Sequence, residues 1–447
     1  MQRKKPLIVM IIAGLSDGLL RSGHCPHLES FARAHGSRPF EPQLPALTVS
    51  MQATFTTGAT PASHGIVGNG FFDRQWLEHR FWNAPAPLVD SPRFWQTPAA
   101  KGFHTGAIFW WNCLGSGLDL YMNVAPIHGP SGKTVSSCYS TPSGLYKDLE
   151  KEFGPFPLHR FWGPATSLES SAWILSATEW IGLNMNLDLL LTYIPHMDYS
   201  LQRSGPGSGE ANRDLRELDD LLKPFLEKSL EGRFDMVILS EYGISAVHGA
   251  VGLNRALNEQ GWFQTREVEG RAYPDLPGSL AFAICDHQVA HLYVRQPEDV
   301  EAVGRFVSSL PGVAHVLDRQ TKAECGLNHP RAGDLVALSE PDQWFEYTWW
   351  DDPGRAPDYA FTVDIHRKIG YDPLELIWDA KNSRIASDPS LIRGSHGLIP
   401  ALSSEWPLVI TPEPGFPKSR PDREALLKAG NITELIIKLL AEGREDL

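Results

Sequence analysis

The chain has 447 residues, of which 42% are hydrophobic and 10% aromatic, and its formal net charge is −13. This length allows one large α/β domain with insertions or two to three domains, and the composition excludes an extensively disordered protein. The negative charge argues against general nucleic-acid binding, because a phosphate backbone would be repelled. A small anionic substrate remains compatible, because bound metal ions can reverse the local field.

Cysteine usage and the N-terminus predict a cytoplasmic protein. The five cysteines are widely spread and lack a paired metal spacing, which is typical of reduced core thiols. Basic residues 3–5 precede an apolar run at 7–15, which superficially resembles a signal peptide. The run ends near Gly14 with no small-x-small cleavage site, so it indicates a buried strand. No segment reaches the ~18 uninterrupted apolar residues of a membrane span.

The hydrophobic pattern predicts alternating strands and helices. In chain order these are strand 7–13, helix 27–35, helix 49–57, strand 105–111, helix 171–184, strand 187–194, helix 211–230 and strand 234–239. Such alternation predicts an α/β fold with a doubly wound, mostly parallel sheet, whose ligands lie beyond the carboxyl ends of the strands. The aromatic, turn-rich stretch 70–98 is predicted to be a loop region over the site.

The character of the sequence changes near residue 253. Strand patterns at 291–294, 314–318 and 334–339, with a helical period at 298–310, predict a small βαβ-type cap with an extra strand. The aromatic and acidic stretch 344–364 belongs either to the entrance of the site or to the cap core. A strand at 408–410 and a helix at 432–441 then close the core. The predicted division is catalytic core 1–252, cap insert 253–385 and return to the core 386–447.

The stretch LPALTVSMQATFTTGATPASHGIVGN at positions 44–69 carries the main functional signal. It predicts a loop, a short helix with Gly58 as C-cap, and a second loop. Thr48 would then lie at the helix N-terminus, where unpaired N–H groups and the helix dipole favour a phosphate. A hydroxyl at this place is either an ordinary N-cap or a nucleophile directed at its substrate.

The order of residues in this stretch resembles the nucleophile segment of the type I phosphodiesterase / nucleotide pyrophosphatase family, within the alkaline phosphatase superfamily. The matching positions are Pro45, Thr48, Thr57, Gly58, Pro61, Ser63, His64, Gly65, Ile66 and Asn69. The resemblance implies that Thr48 is a metal-activated nucleophile and that Asn69 helps to hold the phosphate oxygens. It also implies an alkaline-phosphatase-like fold, with helices on both faces of the sheet and a small α+β cap.

Three further segments follow predicted strands or the cap: HMDYSLQRSGP at 196–206, SEYGI at 240–244 and GSHG at 394–397. In the resembling family they supply an Asp with a His four residues later, an Asp-His pair and a last His. With the Thr and an Asp after the first strand, these hold two divalent ions that activate the hydroxyl and stabilise the phosphoryl oxygens. By position, the resemblance implies metal ligands at Asp198, Gln202, Glu241 and His396.

The chain departs from the family's ligand set at four positions. Gln202 replaces a His, and Glu241 with Tyr242 replace the Asp-His pair. Ala13 follows the first strand where the family has an Asp; Asp17 is the alternative, but it lies four residues late, as a turn carboxylate would. Fewer nitrogen ligands favour manganese or magnesium over zinc, or a single ion. The expected cofactor is a divalent metal, zinc or manganese, as one or two ions.

Other histidines could complete such a site. His196 lies two residues from Asp198, so both would point to one side of an extended segment. The remaining candidates are His366, His287 beside Asp286, and His291. Each is either a ligand or a hydrogen-bonded structural histidine.

These observations predict a metal-dependent hydrolase of a small phosphate ester. Thr48 would attack phosphorus, and water would hydrolyse the resulting phospho-threonine. Two other functions remain open. One is transfer of the phosphoryl group to another acceptor, and the other is non-catalytic binding of a phosphorylated ligand or a protein partner.

Overall fold

Strands and helices alternate along the first half of the chain. The computed structural model describes residues 5–128, 134–413 and 427–442. The elements of this half are β1 Leu7–Ile12, α1 Asp17–Leu20, α2 Pro26–His35, β2 Ser37–Glu41, α3 Thr48–Thr57, α4 Pro61–His64, β3 Gly70–Asp73, β4 Glu78–Phe81, β5 Thr105–Ile108, β6 Leu120–Val124, β7 Ile127–His128, β8 Thr134–Val135, β9 Cys138–Thr141, α5 Leu145–Phe153, α6 Leu158–Phe161, α7 Leu168–Asn184, β10 Leu189–Ile194, α8 His196–Ser204, α9 Gly209–Leu230 and β11 Asp235–Leu239.

The second half of the chain forms a smaller α+β unit and then returns to the large sheet. Its elements are β12 Ser245–Ala246, β13 Gly249–Gly252, α10 Leu253–Glu259, β14 Thr265–Val268, β15 Arg271–Pro274, β16 Ala281–Asp286, β17 Val289–Val294, α11 Val300–Ser308, β18 Val313–Leu317, α12 Arg319–Glu324, β19 Leu335–Ser339, β20 Gln343–Glu346, β21 Trp378–Asp379, β22 Arg384–Ile385, β23 Gly394–Ser395, β24 Leu408–Ile410, β25 Leu427–Lys428 and α13 Asn431–Glu442.

A nine-stranded sheet organises the core, in the order β25-β2-β24-β11-β1-β10-β5-β6-β9. The five central strands, from β11 to β6, are parallel to one another. Strands β24 and β9 pair antiparallel to their neighbours. Every residue of β1 and β10 is buried, which explains why these strands read as continuous apolar runs. The predicted mostly parallel, doubly wound sheet is confirmed.

Helices lie on both faces because the connections run in both directions across the sheet. Right-handed crossovers that travel in opposite directions place their helices on opposite faces. Helices α2, α7 and α9 belong to connections that travel one way, and α9 contacts both of the others. Helix α3 belongs to a connection that travels the other way and contacts α13.

The predicted core elements are present, with bounds that differ by at most three residues. The largest difference at a carboxyl end is in β5, which was expected to run to residue 111 but ends at Ile108. Phe109 and Asn112 have φ values of 55° and 51°, which extended pairing does not accommodate. The chain therefore turns out of the sheet immediately after Ile108.

The cap contains a four-stranded antiparallel sheet in the order β16-β17-β19-β18. Helix α11 connects β17 to β18, which run in the same direction on either side of β19. The expected βαβ-type unit is therefore present in a split form, with β19 between its two strands. A second hydrophobic cluster, distinct from the one around the large sheet, fills this unit.

The stretch 70–98 differs from the predicted loop region. Its first part is the hairpin of β3 and β4, and Phe72 and Phe81 from this hairpin belong to the hydrophobic cluster of the cap. The core half of the chain thus contributes a hairpin to the cap. The exact division at residues 252 and 385 remains a prediction.

Two simpler expectations concern the cysteines and membrane spans. The five cysteines are unpaired, and four of them are buried. Among the described helices, none is both long enough and apolar enough to cross a bilayer.

Candidate functional site

Four neighbouring strands of the large sheet end at one place, and each is followed by residues of the site. Ala13 follows β1, helix α8 follows β10, Glu241 and Tyr242 follow β11, and Trp111 follows β5. Because these strands are parallel, their carboxyl ends meet at one edge, which is where ligands bind in such sheets. The predicted site residues therefore lie at the edge of the sheet where such folds bind ligands, and their role remains a prediction.

Thr48 is the first residue of α3, and its side chain is buried. The N-cap residue is Leu47, which makes no side-chain capping bond, so Thr48 does not act as the N-cap. Its hydroxyl instead lies 3.2 Å from the phenol oxygen of Tyr242. Gly58 ends the helix in the left-handed conformation, with φ 68°, as expected for a C-cap.

A chain of hydrogen bonds runs from Thr48 through the side chains behind it. The Tyr242 hydroxyl donates to Oδ1 of Asp198 over 3.1 Å, and Nε2 of Gln202 donates to Oδ2 over 2.6 Å. The hydroxyl of Tyr371 donates to Oε1 of Gln202 over 2.9 Å. The Tyr242 hydroxyl has one hydrogen, and it donates that hydrogen in the bond to Asp198. In the bond between Thr48 and Tyr242, the Thr48 hydroxyl must therefore be the donor.

Asp198 and Gln202 come together because the segment after β10 is helical, not extended. They lie four residues apart on α8 and therefore share one face. His196 does not share that face: its Nε2 lies 3.9 Å from Asp214, and neither ring nitrogen has a hydrogen-bond partner. The expectation that His196 would join Asp198 assumed an extended segment, and the helix removes that geometry.

His396 returns to the site from the loop after β23. Its Nδ1 donates to the carbonyl oxygen of Ala46 over 2.8 Å, which leaves Nε2 as the acceptor nitrogen. Nε2 lies 3.8 Å from Oδ1 of Asp198. The ring of Tyr242 stacks on the imidazole with centroids 3.5 Å apart and an interplanar angle of 6°. Burial lowers the pKa of His396 well below its ordinary value, so the imidazole is neutral.

Asn69 joins the nucleophile helix to the cap. Its Oδ1 accepts from the backbone N–H of Val49 over 3.0 Å. Its Nδ2 and backbone N–H donate to the two oxygens of Asp286, over 3.1 and 2.8 Å. Asp286 also accepts from Nδ1 of His287 over 2.9 Å. The Asp-His pair, which the sequence offered only as one of several candidates, is thus the cap's contribution to the site.

Tyr371 and His287 extend this contribution. The two rings stack with centroids 3.8 Å apart, and His287 lies at the same distance from His396. Burial lowers the pKa of His287 to about 3. Sequence analysis assigns no role to Tyr371, which lies beyond the aromatic and acidic stretch 344–364.

Burial raises the pKa of three carboxyl groups at the site, and two of them, Asp198 and Asp286, are raised to about 7. Burial raises the pKa of Asp198 to about 7, although hydrogen bonds from Tyr242 and Gln202 oppose the shift. Burial likewise raises the pKa of Asp286 to about 7, against the hydrogen bonds from Asn69. Both groups therefore exchange protons near neutral pH.

Glu241 stands apart from these groups. Its side chain is fully buried, and neither carboxyl oxygen has a hydrogen-bond partner. Burial, and after it the negative charge of Asp198, raises the pKa of Glu241 well above its ordinary value. Its side chain does not line the cavity described below.

Of the remaining candidates, only His366 lies at the cavity. Asp17 begins α1 and accepts from Nε of Arg21 over 2.9 Å, so Ala13 is the residue at the carboxyl end of β1. His291 bonds to the carbonyl of Val67 and accepts from a backbone N–H, as a structural histidine does. His366 lines the cavity, with Nδ1 3.3 Å from the carbonyl oxygen of Phe81.

The implied divalent metal does not fit the side chains present. Among the described residues, no cluster of three or more His, Cys, Asp or Glu side chains could hold an ion. Gln202 directs an N–H, not a lone pair, toward Asp198, and Tyr242 directs an O–H toward it. Glu241 does not join them. The four predicted ligands, Asp198, Gln202, Glu241 and His396, are thus not arranged as a metal site.

A cavity of about 330 Å³ opens onto Thr48. Aromatic side chains dominate its walls. These are Trp82, Trp111, Phe161, Trp162, Tyr193, Tyr199, Tyr242 and Tyr371. None of the described lining residues is Lys or Arg. The cavity therefore offers an apolar environment, lined by aromatic rings, beside the Thr48 hydroxyl.

The fold and the site together define an alkaline-phosphatase-like α/β protein of the phosphodiesterase type, with a threonine beyond the carboxyl ends of its sheet. The family model of type I phosphodiesterase / nucleotide pyrophosphatase matches residues 7–372, and the chain belongs to that family. Its members are hydrolases that typically depend on divalent metal ions.

Two curated relatives match part of the chain. An uncharacterised pyrophosphatase/phosphodiesterase of Schizosaccharomyces pombe is 27% identical over 246 residues, which cover 54% of this chain and 44% of the relative. Ectonucleotide pyrophosphatase/phosphodiesterase 1 of Saccharomyces cerevisiae is 26% identical over 263 residues, covering 54% of this chain and 34% of the relative. The chain spans less than half the length of each relative.

Solved structures match over nearly the whole chain and agree with the fold. Murine ectonucleotide pyrophosphatase/phosphodiesterase 5, as an inactive variant with AMP, has a TM-score of 0.60 at 14% identity and covers 98% of this chain and 95% of its own. Phosphonoacetate hydrolase from Sinorhizobium meliloti, with phosphonoacetate, has a TM-score of 0.63 at 16% identity and covers 98% and 96%.

Proposed function

We propose that the chain hydrolyses a small phosphodiester with an aromatic ester group, and that Thr48 is the nucleophile. The observation that carries the proposal is the placement of the Thr48 hydroxyl. It is buried at the N-terminus of α3, bonded to Tyr242, and opens onto the aromatic cavity. Membership of a hydrolase family supports the reaction class.

The reaction would proceed in two steps. Oγ1 of Thr48 would form a bond to phosphorus while its hydrogen moves to Tyr242 and the Tyr242 hydrogen moves to Asp198; the bond to the ester oxygen breaks, and the aromatic group leaves as its oxyanion. Water then hydrolyses the phospho-threonine and restores the hydroxyl. The positive end of the α3 dipole would stabilise the charge on the phosphoryl oxygens. The Asn69 side-chain amide has two N–H groups, and only one of them donates to Asp286. The second N–H would donate to a phosphoryl oxygen.

The charge of the cavity favours a diester over a monoester. A phosphodiester carries a single negative charge, whereas a monoester carries close to two at neutral pH. None of the described lining residues is Lys or Arg, and Asp198 is one of the residues that line the cavity. The group with the lower charge is therefore the better fit, because less uncompensated charge must be desolvated.

The walls of the cavity favour an aromatic ester group. Trp82 and Trp111 have ring centroids 5.3 Å apart, and Trp162 lies 5.6 Å from Tyr371. Offset or edge-on ring contacts contribute about 0.5–1.5 kcal/mol each beyond area burial. A planar ring packed against the exposed faces of these side chains would place its phosphate near Thr48.

The test uses bis(4-nitrophenyl) phosphate as a chromogenic diester. Release of 4-nitrophenol would be followed for the wild-type chain, Thr48→Ala and Thr48→Ser. We expect Thr48→Ala to lower turnover by on the order of 10³-fold, because the nucleophile is removed, and Thr48→Ser to retain part of the activity. Thr57→Ala, at the other end of the same helix, is the matched control and should keep wild-type turnover. Full activity in Thr48→Ala would contradict the proposal.

A second candidate is binding without turnover, and the altered ligand positions at Ala13, Gln202 and Tyr242 favour it. A binding protein would be stabilised by a diester in thermal unfolding and would release no alcohol. Thr48→Ala would then be stabilised as much as the wild type. Equal stabilisation with no product from either chain would decide for this candidate.

A further inference from the structure

We propose that Tyr242 takes the place that a divalent ion holds in the resembling family, joining Thr48 to Asp198 through its phenol, and that the chain binds no metal at this site. The part that concerns activation of Thr48 rests on the proposed function. The part that concerns metal binding stands without it.

Asp198 is surrounded by hydrogen-bond donors and not by metal ligands. A metal ligand must present a lone pair to the ion. At the positions of two family histidines, Gln202 and Tyr242 present N–H and O–H hydrogens to the two oxygens of Asp198. Gln202 is held in this orientation, because its Oε1 accepts from Tyr371. The positive ends of these groups occupy the side of the carboxylate that a cation would need.

The space beside His396 is filled by aromatic rings. The ring of Tyr242 lies nearly parallel to the imidazole at 3.5 Å, which is van der Waals contact over the whole face. His287 packs against the same imidazole at 3.8 Å. His396 is therefore enclosed by rings, and its Nε2 remains 3.8 Å from an Asp198 oxygen that already accepts from Tyr242.

The second ion position of the family has lost its ligands as well. Ala13 offers a methyl group in place of a carboxylate, and Tyr242 replaces the histidine. Glu241 is left as the single carboxyl group there, with no hydrogen-bond partner. One carboxylate without further donors is too small a ligand set for a transition-metal or manganese ion.

The direction of the hydrogen bonds gives Tyr242 a positive role at Thr48. Tyr242 donates to Asp198, so it receives the hydrogen of Thr48. This bond fixes the hydroxyl rotor of Thr48, and a second hydrogen bond, with the Tyr193 side chain, also holds the Thr48 oxygen at the cavity wall. Orientation of the nucleophile, which a metal performs in the family, is here performed by a phenol.

The experiment measures bound metal directly. The full chain is loaded with excess zinc or manganese, desalted and subjected to elemental analysis. The double variant Gln202→His/Tyr242→His places two imidazoles beside Asp198 and His396. The wild-type side chains at these two positions already contact the Asp198 carboxylate. We expect less than about 0.1 ion per wild-type chain and at least about 0.5 per double variant, with chelation lowering Tm only in the double variant. Tyr121→His, a buried substitution in β6, should behave as the wild type.

Two results would overturn the inference. One is a wild-type chain that holds about one ion or more and loses it on Asp198→Ala. The other is a folded double variant that binds no more metal than the wild type, because Tyr242 and Gln202 would then not be what excludes the ion. The wild-type measurement decides even if the double variant fails to fold.

Turnover supplies a separate readout. With the diester substrate, Tyr242→Phe should lower Thr48-dependent turnover by about 10²-fold. A chelator should change the turnover of neither the wild-type chain nor Tyr242→Phe. Loss of wild-type activity on chelation, restored by metal, would contradict the inference. Absence of turnover in every chain would contradict only the proposed hydrolysis, because the metal content is measured independently.

Discussion

Asp286 illustrates how a single side chain ties pH to stability. It is fully enclosed between Asn69 and His287, and burial raises its pKa from 3.8 to about 7. The folded chain therefore holds this proton more tightly than the unfolded chain does. The stability that this contributes is complete below about pH 3.8 and is lost as the pH rises to about 7.

Replacing Asp286 by Asn should remove this part of the pH dependence. Between about pH 5 and about pH 6.5, the wild-type free energy of unfolding should fall by about 2 kcal/mol more than that of Asp286→Asn, at about 1.4 kcal/mol per pH unit. Urea unfolding at several pH values measures the difference. Glu301→Gln on α11, an exposed carboxylate, is the control. Parallel pH profiles for wild type and Asp286→Asn would show that the proton is not held in the folded state.

At the scale of elements, α3 is the clearest case of local sequence determining local structure. Small residues form a short helix, and Gly58 ends it with φ 68°. An added Cβ at Gly58 would meet Thr433 at an ordinary 3.5 Å, so any cost of substitution comes from the backbone conformation and not from a clash.

Gly58→Ala should therefore destabilise the chain by about 1 kcal/mol. Gly144→Ala is the matched control: Gly144 precedes α5 with φ −85° and has no neighbour within 4 Å of an added Cβ. This control should be neutral or slightly stabilising. Thermal unfolding of both variants measures the contrast, and equal Tm values would show that the C-cap conformation carries no cost.

Helix α8 could not be predicted from the local sequence pattern. Its sequence, HMDYSLQRS, is polar and is interpreted above as an extended segment, yet it forms a helix in which seven of the nine residues are buried. Some of its polar groups bond to partners from distant segments, as Gln202 does to Tyr371, whereas His196 and the Ser200 hydroxyl have no hydrogen-bond partner. Amphipathic patterning cannot reveal a helix whose buried face is polar. The same limit hid the true orientation of His196.

At the scale of the whole molecule, the sheet and its order of elements could be predicted, but the site's pairings could not. Thr48 and Tyr242 are 194 residues apart, and Asn69 and Asp286 are 217 apart. The apolar strands and the motif at 44–69 are encoded in short stretches of sequence, so they could be predicted from the sequence alone. Which donor faces which acceptor across the interface of core and cap depends on packing of the complete chain.

The bond between Tyr371 and Gln202 is one such link between cap and core. Tyr371→Phe should lower the free energy of unfolding by about 1 kcal/mol and leave Oε1 of Gln202 without its donor. Tyr273→Phe, whose hydroxyl bonds to Asp358 at the surface, is the control and should change it by less. Chemical denaturation measures both. An equal loss of unfolding free energy in the two variants would mean that the buried bond between Tyr371 and Gln202 does not stabilise the contact between cap and core.

The ring-lined cavity has a practical consequence. Trp82, Trp111 and Trp162 all face the space beside Thr48, and one of them comes from each of three separate segments of the chain. Indole emission responds to the polarity and the quenchers around it. A ligand that enters the cavity would therefore change the chain's own fluorescence, and occupancy could be followed without a label, a coupled assay or any chemical turnover.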